Sequence, residues 1–298
     1  MTRSVRIAAI QLGPADEDRR AHLTRMVRLL DEACRQGAQI ACFPELALTP
    51  YFAGTPDRDV EGYFDVLPGP AAEPLLVCAR RHEVSLILPY AERDGATGYN
   101  TALVVGPDGV VVGRYRKVHL PGSFPPPPDP PLSTYERVHF APGNLGFPVF
   151  SLPPARIGLQ ICFDQSFPEG FRALVLQGAE IIFCPTNAFR FESDVNRAGL
   201  GGDIMPRVRA FENGVFVVRV MKRGVERGRR FVGTTTVAGP RGDPIASSET
   251  DGDETVLATL DLDDVVEARR RFPWPRDRRP ELYGVLAGAP PHRGGMSP

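Results

Sequence analysis

The chain predicts an α/β fold in which helices cover sheets, and three features carry that reading. Short apolar runs recur along the 298 residues, longer segments with helical spacing separate several of them, and one pair of runs is joined by a tight turn. The first run is 5-VRIAAIQL-12. Residues 19–37 then place Leu23, Val27, Leu30 and Cys34 three or four apart, the period of one helical face, and Gly37 suits the position just past a helix end. Strand-like runs follow at 39–45 and 84–90, with a helical pattern at 70–83 between them. The runs at 101–106 and 110–117 flank 107-PDG-109, a turn signal that makes this part of the sheet antiparallel. Further runs at 156–163 and 180–186 enclose a helical pattern at 168–179. A last helix is expected at 204–214, and strands at 215–220, 231–239 and 255–262 complete the order.

Proline marks the exception. The segment 121-PGSFPPPPDPP-131 cannot join a central strand, because each proline lacks the N–H donor, so it reads as a surface loop walling a pocket. The tail from residue 288 onward reads as flexible, and no internal repeat stands out. A hydrophobic content of 42% over this length supports a large core, read as one domain over 1–287. Thirty-five basic residues against thirty-six acidic ones leave no electrostatic footprint for nucleic acid, and 222-KRGVERGRR-230 reads as a solvated loop. No run approaches the roughly 18 apolar residues of a membrane span, and no signal-peptide pattern opens the chain. The five cysteines (34, 42, 78, 162 and 184) show no CxxC or Cys/His zinc spacing, so the thiols are expected to be reduced and the protein cytoplasmic.

One thiol stands apart. In 158-GLQICFDQSFPE-169, Cys162 follows an apolar strand and precedes a helix start, so its side chain should face a cleft beyond the strand's C-terminal end. Cys34, Cys42, Cys78 and Cys184 read instead as small buried hydrophobes. A thiol of ordinary pKa is only about 3% ionised at pH 7, so a nucleophile here needs a nearby base or positive charge. His119 lies in 116-RKVHLPG-122, beside Lys117, and Glu45 ends another apolar run in 42-CFPELALTPY-51. Taken singly, a Glu or a Lys is ordinarily a solvated surface residue.

Taken together, FPELALTPY, YRKVHLPG and ICFDQSFPE resemble, in this order, the glutamate, lysine and cysteine motifs of the nitrilase superfamily of carbon–nitrogen hydrolases. The likeness extends through 136–150, 178–188, 210–218 and 280–287, and is strongest to the carbamoylase branch, the N-carbamoyl-D-amino acid hydrolases and N-carbamoylputrescine amidases. The resemblance implies a four-layer αββα sandwich, a homodimer or higher homo-oligomer with 263–287 as an arm onto the partner subunit, and no cofactor or metal. It assigns Glu45, Lys117 and Cys162 to the catalytic triad and Glu136 to the second glutamate that contacts it. The implied substrate is a small amide or carbamoyl compound, with no nucleic-acid or membrane partner.

Phe163, Gln165, Ser166, Asn187 and Arg190 are the candidate substrate contacts. Here the chain departs from its branch. The D-carbamoylases carry an Asp-Arg-Arg run after the cysteine, whereas this sequence has Asp164, Gln165 and Ser166. Gln165 matches the carbamoylputrescine amidases, but Phe163 and Ser166 stand where those have tryptophan, and Arg190 is the candidate replacement anchor for a carboxylate. The rival readings are a nitrilase acting on a C≡N bond with the same three residues, and a silent family member that only binds.

Overall fold

The computed structural model describes residues 3–57, 59–122, 134–190 and 204–288. The proline-rich stretch from 123 onward and the tail from 289 onward lie outside them. The strands are β1 (Ser4–Gln11), β2 (Ile40–Cys42), β3 (Ser85–Asp94), β4 (Thr97–Val105), β5 (Val111–Arg116), β6 (Phe150–Leu152), β7 (Ala155–Leu159), β8 (Ile181–Thr186), β9 (Phe189–Arg190), β10 (Phe216–Met221), β11 (Gly224–Glu226), β12 (Arg229–Phe231), β13 (Thr236–Ala238), β14 (Pro244–Ser247) and β15 (Glu254–Asp261). The helices are α1 (Arg19–Arg35), α2 (Glu73–Arg81), α3 (Glu136–His139), α4 (Pro168–Leu176), α5 (Ile204–Asn213), α6 (Asp263–Arg271) and α7 (Trp274–Asp277).

Two six-stranded sheets form, in the orders β15-β1-β2-β3-β4-β5 and β14-β13-β10-β8-β7-β6. Read from β15 and from β6, both run antiparallel, parallel, parallel, antiparallel, antiparallel. This shared topology is a duplication that the amino-acid pattern does not display, because fold symmetry constrains the burial of positions and not their identity. The predicted PDG turn joins β4 to β5 with Gly109 at φ 79°, a conformation glycine adopts without a Cβ clash.

The chain's alternation sorts side chains to the two faces of each strand. On β1, Val5, Ile7 and Ala9 point inward and meet Ile157, Leu159, Phe183 and Val218 of the other sheet. Ala8 and Ile10 point outward beneath Met26, Leu30 and Ala33 of α1 and Leu75 and Ala79 of α2. On the far side Phe171 and Leu174 of α4 and Ala210 of α5 cover Ile182 and Val217. The layers are therefore α, β, β, α. Burial on both faces explains why the central strands read as continuous apolar runs rather than as alternating ones.

Helix α1 starts at its Asp18 cap, whose carboxylate accepts from Arg20 N, and ends with Gly37 at φ 86°. Helix α6 opens the segment expected as an arm, yet Val265 and Ala268 are buried and Arg269 donates to the carbonyls of Gly214 and Ala179 of its own chain. Beyond α7 the chain carries exposed Leu282, Val285 and Leu286.

The expected solvated loop at 222–230 is corrected by the structure. Lys222 is fully buried and Glu226 is nearly so, and β11 and β12 form a hairpin turning at Arg227 and Gly228, both at positive φ. The run of charges hid this, because a buried ion pair and a surface one have the same composition.

Candidate active site

Three of the four candidate catalytic side chains stand just past the end of a strand. Glu45 follows β2, Lys117 follows β5, Cys162 follows β7, and Asn187 follows β8. Glu136 opens the short helix α3. All five are buried, and Cys162 keeps only 6% of its surface.

Lysine 117 is the hub. Its Nζ lies 2.7 Å from Glu45 Oε1 and 2.9 and 2.7 Å from the two oxygens of Glu136. Asn100 Nδ2 donates to the same Glu45 oxygen at 2.7 Å, and Asn187 N donates to the other at 2.8 Å. Tyr51 OH donates to Glu136 Oε1 at 3.1 Å. Glu45 is thus oriented from three sides, and its carboxylate has a fixed direction.

Asn187 joins Glu45 to the Cys162 thiol. Its side-chain Nδ2 donates to the carbonyl of Glu45 at 2.7 Å, while its own carbonyl lies 3.7 Å from Cys162 Sγ. Through these groups Asn187 holds Glu45 and Cys162 together, and its Oδ1 has no hydrogen-bond partner among the described residues. Gln165 behaves similarly, since its Nε2 donates to Cys162 O at 3.0 Å and Thr186 Oγ1 at 2.8 Å, bracing the cysteine turn from beneath. Phe163 and Ser166 are half-buried on that turn, and Phe163 meets Phe167 edge-on at 5.4 Å. Arg190 ends β9, paired with Arg230, and its side chain lies outside the described residues.

The backbone at Cys162 is strained. The residue opens a turn of 3₁₀ helix with φ 46°, the left-handed region that non-glycine residues rarely occupy, at a cost of about 1–3 kcal/mol. The turn is held by Asp164, which accepts from Ile161 N at 3.1 Å, Tyr115 OH at 2.7 Å, and both the backbone N and Nδ1 of His119 at 2.8 Å. Phe167 stacks on the His119 ring at 3.7 Å between centroids. His119 therefore braces the cysteine turn through Asp164. Arg209 of α5 completes the support, with Nε 3.1 Å from Gln165 O.

Electrostatics follow from this enclosure. Burial alone would lower Lys117, but Glu136, Glu45 and Cys162 outweigh it and hold the ammonium well above its ordinary pKa. Burial pushes Glu136 up to about 7, with Lys117 opposing and Glu45 adding. Burial also pushes the Cys162 thiol well above its ordinary range; Glu45 and Glu136 add to this, while Lys117 and a backbone hydrogen bond at Asn187 only partly oppose it. Burial thus favours the neutral form of this thiol beside its carboxylates, and a thiol attacking from there would need a proton acceptor. Tyr51, Phe189 and Phe231 pack with ring centroids 5.3–5.9 Å apart, one pair edge to face and two tilted.

Sequence reasoning did not reach Tyr51, Asn100, Asp164 or Arg209. Two of these carried a signal, since Tyr51 ends the glutamate motif and Asp164 lies two residues after the cysteine. Asn100 and Arg209 sit in ordinary strand and helix patterns.

Comparison with known proteins agrees with this geometry. A family model for carbon-nitrogen hydrolases matches residues 6–270. A nitrilase of Pyrococcus abyssi is 34% identical over 87% of this chain and 90% of its own length. An N-carbamoylputrescine amidase of Arabidopsis thaliana is 31% identical over 95% of each. The crystal structure of a carbon-nitrogen hydrolase from Helicobacter pylori G27 superposes with a TM-score of 0.85, 28% identity, and coverage of 96% of this chain and 99% of that one. No helix among the described residues is long and apolar enough to cross a membrane. With its fold, strand-end residues and relatives in agreement, the chain belongs to the carbon–nitrogen hydrolase family of the nitrilase superfamily and is an enzyme acting on non-peptide C–N bonds.

Proposed function

We propose that the protein hydrolyses a small amide or N-carbamoyl compound through a thioester on Cys162. The observation that carries this reading is the double tie through Asn187, which joins the Glu45 carboxylate to the turn bearing the only strained cysteine among the described residues. In the first half-reaction Cys162 Sγ bonds to the substrate carbonyl carbon as its proton passes to Glu45. The developing oxyanion is met by the Lys117 ammonium and the Phe163 N–H. Collapse breaks the C–N bond, and the proton held by Glu45 leaves with the nitrogen as ammonia or amine. Water then attacks the thioester, giving its proton to Glu45, and the thiol is restored. Glu136 keeps Lys117 charged and in place.

For the substrate tail, we favour a neutral or amine-bearing group over a carboxylate. Gln165 is committed to the cysteine turn, and Gln165 and Ser166 rather than an arginine pair follow Asp164. A buried carboxylate without a partner would cost several kcal/mol. A nitrile substrate is the second reading, favoured by the likeness to a nitrilase. Ammonia release from a panel of amides, ureido compounds and nitriles, with intact-mass detection of an acyl adduct on Cys162, tests both. Acid from nitriles with none from amides would select the second, and no turnover of any of them would leave a silent binding protein. Preference for N-carbamoyl-D-phenylalanine over N-carbamoylputrescine would refute the tail assignment, and Ser166→Arg should shift preference toward the former.

We further propose a homo-oligomer formed through the exposed apolar residues Ile204, Val208, Phe211 and Phe272 of α5 and the end of α6, to be checked by light scattering. The reducing cytoplasm suits five unpaired cysteines, one of them a nucleophile.

A further inference from the structure

A cluster of donors outside the active site has no part in the reaction above. On the outer helical layer, Asp31 of α1 faces Cys78 and His82 of α2, and one ligand atom from each lies within 4.8 Å of the other two. Cys78 and His82 are four residues apart, which puts them on one face of α2 and its C-cap. The geometry points to a binding site for a divalent zinc-like cation, held by Cys78 Sγ, His82 Nε2 and Asp31 Oδ1, that staples α1 to α2.

The donor set is mixed sulfur, nitrogen and oxygen, which suits borderline Zn²⁺ better than magnesium or calcium. Ligand atoms around a tetrahedral zinc are about 3.4–3.8 Å apart, so the cluster, now within 4.8 Å, must close by about 1 Å through side-chain rotation. His82 Nε2 already lies 2.8 Å from Asp31 Oδ1, and a bound cation would replace that hydrogen bond with two metal bonds. Asp31 Oδ2 lies 2.7 Å from Arg35 Nη2, which orients the carboxylate and leaves Oδ1 toward the site. Side-chain exposures of 24% for His82 and 23% for Asp31 give an entry path and room for a water as fourth ligand, while Cys78 is buried behind them. Binding releases the thiol proton to solvent, so a thiolate and a carboxylate balance the two positive charges. The opposing cations, Arg35 and Arg81, are exposed and screened by water.

The test uses the full chain carrying Cys162→Ala, so that the catalytic thiol cannot compete. After stripping with a chelator, one equivalent of Co²⁺ should produce a thiolate-to-cobalt charge-transfer band, and Zn²⁺ should raise the melting temperature. Cys78→Ser and His82→Gln should each weaken Zn²⁺ binding at least about tenfold, read by competition with a chromophoric chelator. His82→Gln, at the surface, keeps the test valid should Cys78→Ser fold poorly. Absence of the band, an affinity unchanged in His82→Gln, or binding seen in wild type and lost in Cys162→Ala would each overturn the proposal.

Discussion

Only two lysines occur in this chain, Lys117 and Lys222, and both are buried against glutamate. Their surroundings invert their chemistry. Lys117 meets two carboxylates, at 2.7 Å each, and stays charged well above the ordinary lysine range. Lys222 meets one, Glu226 at 2.6 Å, and burial, with Arg25 and Arg227 adding their repulsion, pulls it below that range. Depth is the same in both, so the count of neighbouring charges decides the sign. The second pair also has a different task. Glu226 accepts from Tyr51 N at 2.6 Å and from Ala15 N at 2.6 Å, so it fastens the loop whose Tyr51 hydroxyl reaches Glu136. One lysine belongs to the centre proposed to move charge, and the other to a bolt behind it.

The strongest way to break this contrast is to remove the thiol that the proposed mechanism makes the nucleophile. Cys162→Ala should abolish turnover while leaving the melting temperature and oligomer size unchanged, because a small substitution leaves little cavity. Activity above about a tenth of wild type in a steady-state assay would place the nucleophile elsewhere. Glu45→Gln keeps the shape and loses the proton acceptor, so kcat should fall by about 10²–10⁴. An active Glu45→Gln beside a dead Glu136→Gln would exchange the two glutamates' roles.

Exchanging each lysine for methionine sharpens the comparison. Both changes strand a buried carboxylate and should cost about 3–5 kcal/mol in denaturant unfolding. Only Lys117→Met should also remove activity per folded molecule, whereas Lys222→Met should retain it within about threefold. Equal catalytic losses would erase the distinction between centre and bolt. The opposite shifts also predict opposite responses to base. Because the folded pKa of Lys222 lies below its unfolded value near 10.5, the folded state releases that proton first, so stability gains relative to Lys222→Met as pH rises through that window. Lys117, with a raised folded pKa, loses stability only when pH climbs above 10.5. Unfolding curves at stepped alkaline pH check both signs. The smallest effect is expected of Tyr51→Phe, which deletes one hydrogen bond to Glu136, about 1 kcal/mol and at most about tenfold in kcat.

Much of the fold was legible. The helix ending at Gly37 and the hairpin at Gly109 were marked by residues whose backbone freedom the turn requires. The short strands β6, β9, β11, β12 and β14 were not, since two to four residues are too few to establish a period. In the site, Glu45, Lys117 and Cys162 were singled out because each sits in a distinctive local string, and Glu136 through the family resemblance alone. Asn187 and Gln165 were named as substrate contacts, and their bonds to Glu45 and the cysteine turn were not legible, because hydrogen-bond partners depend on neighbours far along the chain.

What the sequence by itself determined is everything local: the apolar runs that become strands, the three-and-four spacing of the helices, and the motifs that put a carboxylate, an ammonium and a thiol at strand ends. Only the tertiary structure decided how those groups behave. Glu45 meets Asn187 across 142 residues, Tyr51 N meets Glu226 across 175, and Asp31 meets His82 across 51. A pKa is set by burial and by charges within a few ångströms, and the chain acquires both only when distant segments pack together.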